Sequence, residues 1–201
     1  MAMRKYNRGY LVTIDGVDGC GKSTICDELA KMLEPDMDVE LYDIYYDNFD
    51  REMFNMLKKN KLTPEQETLM FSTIFQHNWD EYIKRDISSG KLVVCDRWIT
   101  TTLAYQVHCM YSDIMPMCTA MKPDMQILLD VTDDIASKRI DKRGKKDKWE
   151  SSSVIKKNLN DVMRKIAKKE KYLVVDVNTR PINDIVTEIY RKVIFGRNIQ
   201  I

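Results

Sequence analysis

Apolar residues gather in five short, mostly β-branched runs, Tyr10 to Ile14, Val39 to Ile44, Leu92 to Cys95, Met125 to Val131 and Tyr172 to Val177, with helix-spaced stretches between them. Continuous apolar runs of this length suit strands buried on both faces. Their alternation with helices predicts a parallel sheet covered by helices on both sides. Ile25 to Leu33 reads as a helix ended by Pro35. Thr63-Pro64-Glu65-Gln66 is a helix start, with Thr63 as cap, proline at the first helical position and Gln66 able to complete a capping box. That helix is expected to run to about Ser88, before Gly90, with Phe71, Phe75, Trp79 and Tyr82 along one face. A last helix, Pro181 to about Phe195, should bury Ile182, Ile185, Ile189 and Val193.

There is no internal repeat, low-complexity stretch or Gly/Ser linker, and 201 residues with 44% apolar content suffice for one core. Residues 1–201 are therefore expected to form a single domain. The net charge of +1 gives no electrostatic case for nucleic acid or an anionic membrane as partner. Five cysteines without a C-x-x-C pair, beside only two histidines, predict neither a disulfide framework nor a zinc site. No run approaches the roughly 20 apolar residues of a membrane span, and Met1 to Gly9 is too polar and short for a signal sequence. A reducing, cytoplasmic setting is expected.

Chemistry enters directly after the first run, where Gly16-Val17-Asp18-Gly19-Cys20-Gly21-Lys22-Ser23 fits the Gly-x-x-x-x-Gly-Lys-Ser/Thr phosphate-binding loop. The glycines let successive N–H groups curl around phosphate oxygens at the positive end of the following helix. Lys22 is placed to reach the β and γ phosphates of a nucleoside triphosphate, and the Ser23 hydroxyl to ligate the Mg2+ that travels with it, with Thr24 as the second candidate. A strand before the loop and a helix after it supply the context this motif requires.

The third run leads into Asp96-Arg97-Trp98-Ile99-Thr100-Thr101-Thr102-Leu103-Ala104-Tyr105-Gln106. In open α/β sheets ligands bind beyond the carboxyl ends of the strands, so Asp96 and Arg97 should emerge beside the loop. There the arginine fork can bridge donor and acceptor phosphates. Taken with Lys122-Pro123-Asp124, Leu128 to Thr132 and the basic stretch Arg139 to Glu150, these motifs make the chain resemble the thymidylate kinase family of nucleoside monophosphate kinases over nearly its whole length.

The resemblance implies a three-layer P-loop NTPase fold with a five-stranded parallel sheet of order 2-3-1-4-5, helices on both faces, and a homodimer. It implies phosphoryl transfer from Mg-ATP to dTMP. Asp18 then stands near the acceptor sugar and the magnesium shell, Arg97 is the phosphate clamp, and Phe71 stacks on the base. Thr101 and Thr102 fall at base-contacting positions, and Tyr105 lies under the deoxyribose. For Thr101 and Thr102 the other reading is that they cap backbone N–H groups at a helix start. For Tyr105 it is a core tyrosine. About 142–150 becomes the lid, with Arg143 and Lys148 supplying charge that the loop, with Cys20 after Gly19, does not; otherwise this is a solvated charge run or a nucleic-acid patch.

Two departures from the family pattern stand out. After the second strand this chain reads Tyr42 to Arg51 with no basic residue where the family has an arginine for the acceptor phosphate, and Arg51 is the nearest substitute. Phe75 occupies the place of a base-reading arginine, with Gln76, His77 and Asn78 as polar neighbours. The acceptor base is accordingly open among dTMP, dUMP, a 5-modified dUMP and dCMP. A deoxynucleoside kinase and a nucleotide-binding regulatory protein are the competing readings.

Overall fold

A computed structural model describes residues 8–43, 45–105, 122–144 and 153–199. Five strands, β1 (Tyr10–Asp15), β2 (Val39–Asp43), β3 (Leu92–Asp96), β4 (Met125–Asp130) and β5 (Leu173–Asp176), form one parallel sheet in the order β2-β3-β1-β4-β5. The expected fold and strand order are both observed. Each predicted run coincides with a strand, with ends displaced by at most one residue.

Alternation along the central strands divides the core between two faces. Tyr10, Val12 and Ile14 of β1 and Leu92 and Val94 of β3 pack with Leu29 and Leu33 of α1 (Lys22–Leu33) and with Ile185, Ile189 and Val193 of α8 (Ile182–Ile199). Leu11, Val93 and Cys95 point to the other face. There they meet Phe54 and Leu57 of α2 (Asn48–Lys59), Ile74 and Phe75 of α3 (Pro64–Asn78), and Leu103 of α5 (Ile99–Tyr105). A period of two in a strand buried on both sides gives this division directly. Two further helices, α6 (Asp133–Arg143) and α7 (Ser153–Glu170), lie between β4 and β5 in sequence.

The long helix expected from Thr63 to about Ser88 begins as predicted: Thr63 Oγ1 accepts from the Gln66 amide and Gln66 Oε1 from the Thr63 amide. It is not one regular helix. A π turn at Trp79–Ile83, marked by the Lys84 amide donating to Trp79 O, joins α3 to α4 (Lys84–Ser88). The extra residue in that turn rotates the later side chains around the axis, yet all four aromatics of the expected face still pack on one core cluster, the last two at its edge. Phe71 and Phe75 stay in the core, Tyr82 turns toward Tyr42 and Tyr46, and Trp79 lines a cavity of about 530 Å³ with Arg8, Leu11, Lys84 and Lys122.

Candidate active site

The loop between β1 and α1 is shaped by where its glycines must pass. Gly19 has φ of 85°, and a Cβ there would stand 2.4 Å from the Ala136 carbonyl oxygen of α6, so only glycine lets loop and helix touch. Gly21, with φ of 97°, turns the chain into α1. No side chain caps that helix and no acidic residue occupies its first turn, so the positive end stays available to an anion. Lys22 is buried and lies back along the loop, its Nζ donating to Gly16 O at 2.8 Å and Val17 O at 3.0 Å, 3.9 Å from Asp18. The buried Cys20 thiol sits 3.7 Å from the same ammonium.

The carboxyl end of β3 adjoins β1 in register, Asp96 opposite Ile14, and delivers two side chains to the loop. Ser23 Oγ donates to Asp96 Oδ2 at 2.5 Å, while Asp96 Oδ1 is buried with no hydrogen-bond partner among the described residues. A serine hydroxyl, a carboxylate with an oxygen to spare and a neighbouring phosphate loop suit a hard cation such as Mg2+. The motif had singled out Ser23 but not Asp96 as part of that set; its signal was an aspartate ending a buried strand next to the loop strand. Arg97 holds φ of 79°, a conformation rare outside glycine, and its guanidinium makes an ion pair with Asp18. Val17 is buried within the loop, whereas Ser23 and Thr24 are exposed.

Asp15, the last residue of β1, is fully buried, and Oδ1 accepts from the Trp98 amide at 3.0 Å, the Thr101 amide at 3.0 Å and the Thr101 hydroxyl at 2.6 Å. Burial pushes its carboxyl above the ordinary range, against the lowering effect of those hydrogen bonds and of Lys22. Thr101 thus anchors the start of α5 to β1 by donating to a carboxylate, whereas the backbone N–H groups there are capped by Asp15 and not by the Thr101 hydroxyl; Thr102 is buried beside it. Phe71 is buried near Phe54 at 6.5 Å between ring centres, and Phe75 meets the Trp98 ring edge-on at 5.6 Å. Of the polar neighbours of Phe75, Gln76 donates to Asp80, His77 meets Asp47 and Asn78 donates to Asp50. Arg51 is exposed on α2, close enough to Asp43 at the end of β2 to oppose the upward shift that burial gives that carboxyl. Tyr105 ends α5, and its side chain lies outside the described residues.

Of the basic lid stretch, Lys142 and Arg143 are exposed in the last turn of α6, before a left-handed Gly144. Lys148, with Lys145 and Lys146, lies outside the described residues. Arg139, three residues before Lys142, reaches the other way: its guanidinium donates to Cys20 O at 3.2 Å, Val177 O at 2.8 Å and Asn178 O at 3.1 Å. It ties the phosphate loop to the end of β5, a role its place in a basic run does not reveal.

Comparison with known proteins agrees with this arrangement. The model of the family described as thymidylate kinase matches residues 14–189. The probable thymidylate kinase of Archaeoglobus fulgidus is 32% identical over 92% of this chain and 94% of its own length. The probable thymidylate kinase 2 of Saccharolobus solfataricus is 27% identical over 93% and 96%. Among solved structures, the thymidylate kinase of Ehrlichia chaffeensis superposes with a TM-score of 0.73 at 24% identity, covering 92% of this chain and 97% of that one, which bears on the fold.

Proposed function

The chain belongs to the thymidylate kinase family, and from that premise we propose that it transfers the γ-phosphoryl group of ATP to dTMP, giving dTDP and ADP. The observation that carries the reading is the convergence of Lys22, Ser23, Asp96, Arg97 and Asp18 where β1 and β3 end. Phosphoryl transfer asks chiefly for oxygens held in line and for negative charge to be offset. Lys22 exchanges its loop carbonyls for phosphate oxygens, and Arg97, held at the edge of the loop by Asp18, bridges donor and acceptor. Ser23 and Asp96 would hold Mg2+, which when bound offsets charge on the β and γ phosphates. No general base is assigned, because the acceptor's phosphate oxygen is already ionised near neutral pH.

Arg51 takes the acceptor phosphate in this reading, supported by its exposed place on α2, near enough for its charge to act on Asp43, which stands opposite Asp96 in the sheet. Phe71 supplies the stacking face and Phe75 an apolar wall backed by Trp98. Thr102, Tyr105 and the lid cations Arg143 and Lys148 complete the acceptor and triphosphate sites. We place the protein in the cytoplasm as a homodimer. Support comes from the free, buried Cys20, Cys26 and Cys95 and from Met56 and Leu69, large apolar side chains exposed on α2 and α3. No helix among the described residues is long and apolar enough to cross a membrane.

The test is a coupled assay of ADP formation with Mg-ATP, comparing dTMP, dUMP, dCMP, dGMP and the free nucleosides. Turnover highest on dTMP is the expected result. Turnover confined to free nucleosides, or none on any acceptor, would overturn the reading. An Arg51→Ala variant should raise the KM for the monophosphate more than the KM for ATP.

A further inference from the structure

A second group of ionisable side chains lies where the first turn of α2 meets the end of α3. Asp47, Asp50 and His77 each offer one ligand atom, all within 4.8 Å of one another. Asp47 Oδ2 stands 2.7 Å from His77 Nε2 and accepts from the Tyr82 hydroxyl at 2.8 Å, while its Oδ1 accepts from the Asp50 amide at 2.9 Å. The imidazole is held between Phe49, 4.3 Å between ring centres, and the edge of Tyr82, 5.9 Å at 89°.

An independent observation points to a missing partner. Asp50 is fully buried and Asn78 is 3% exposed. The Asn78 amide donates Nδ2 to Asp50 Oδ2 at 2.9 Å, leaving Asp50 Oδ1 and Asn78 Oδ1 buried without any hydrogen-bond partner among the described residues. Buried acceptors are ordinarily paired. A carboxyl proton on Asp50 Oδ1 shared with Asn78 Oδ1 would pair these two oxygens; a cation pairs them as well and in addition takes up the second carboxylate and the imidazole bonded to it.

We propose that Asp47, Asp50 and His77, with the Asn78 amide oxygen as a fourth donor, form a site for a borderline divalent transition-metal ion of the zinc class, which ties the start of α2 to the end of α3. One imidazole nitrogen, two carboxylates and one amide oxygen match the number and kind of ligands that such an ion takes in a four-coordinate site. A calcium ion asks for six to eight oxygens, more than this group provides. Tyr82, the Asp50 amide and Asn78 Nδ2 hold the ligating carboxylates from outside, as the supporting partners of metal sites do. The cysteine spacing that predicts no zinc site does not bear on a site built without thiols.

The experiment uses the full chain, stripped by chelator and kept free of Mg2+, titrated with Zn2+ by calorimetry and with Co2+ by visible absorption. The expected result is one saturating equivalent, a Co2+ spectrum of a nitrogen and oxygen site without a thiolate charge-transfer band, and a thermal midpoint raised by roughly 5–10 °C at hundredfold excess over Kd. His77→Gln, at a partly exposed ring that folding should tolerate, and Asp50→Asn should each weaken binding at least about tenfold and remove the thermal shift. Absence of a saturating equivalent, a thiolate band, or undiminished binding in His77→Gln would overturn the proposal. So would an Asp50→Asn variant more stable than a parent that binds no metal, since a carboxyl proton would then satisfy the cluster.

Discussion

Thr101 gives its hydroxyl hydrogen to Asp15 Oδ1 at 2.6 Å, joining the start of α5 to the end of the strand that feeds the phosphate loop. Asp15 is fully buried, so no water replaces the lost donor if the hydroxyl is removed. Thr101→Val should therefore cost about 1–3 kcal/mol of stability, with Thr101→Ser close to the parent. Urea denaturation of both variants tests this, and an unchanged midpoint in Thr101→Val would remove the anchoring role.

Arg97 carries its ion pair to Asp18 on a backbone with φ of 79°. Glycine adopts that conformation freely, whereas arginine is strained by about 1–3 kcal/mol. Arg97→Gly should be at least as stable as the parent yet lose about 10³-fold or more in kcat. Arg97→Lys should not restore activity, because a point charge does not reproduce the bidentate fork. Thermal melts and steady-state kinetics on the same preparations separate the two effects, and an active Arg97→Gly would contradict the clamp.

Ser23 and Asp96 meet at 2.5 Å across the mouth of the loop. Ser23→Ala and Asp96→Asn should each lower kcat by about 10²–10³-fold and raise the Mg2+ concentration needed for half-maximal rate. A Mg2+ titration that superposes on the parent's would show that neither residue holds the ion.

Asp47 is held at about 2: partial burial raises its pKa, but hydrogen bonds from His77, the Asp50 amide and Tyr82 outweigh that. A carboxyl depressed in the folded state contributes stability above its unfolded pKa of about 3.9 and loses it as the pH falls through about 2. In chelator-treated protein, Asp47→Asn should cost on the order of 1–2 kcal/mol at pH 7, partly screened by solvent, and the difference should fade between about pH 4 and pH 2. Paired denaturation curves across that range give the answer, and a difference independent of pH would exclude the charge as its source.

The alternation of five apolar runs with helical stretches determined an α/β sheet, and the contiguous motif Gly16 to Ser23 determined a glycine-turned loop between a strand and a helix, because both signals are local and survive in one dimension. Thr63 with Gln66 likewise determined a helix start, since its bonds span three residues. Only tertiary structure decided that Ser23 finds Asp96, 73 residues away, that Arg97 reaches back to Asp18, and that Arg139 braces the loop against β5. Strand order sets those partners, because it places β3 beside β1 and brings α6 against Gly19. The π turn after Asn78 was equally hidden, because the aromatic spacing from Phe71 to Tyr82 fits a regular helix on paper. The extra residue sends Tyr82 to Asp47, and with it went the meaning of His77 and Asn78. A chain pattern carries periodicity and adjacency; which buried carboxylate receives which donor is settled by packing the layers together.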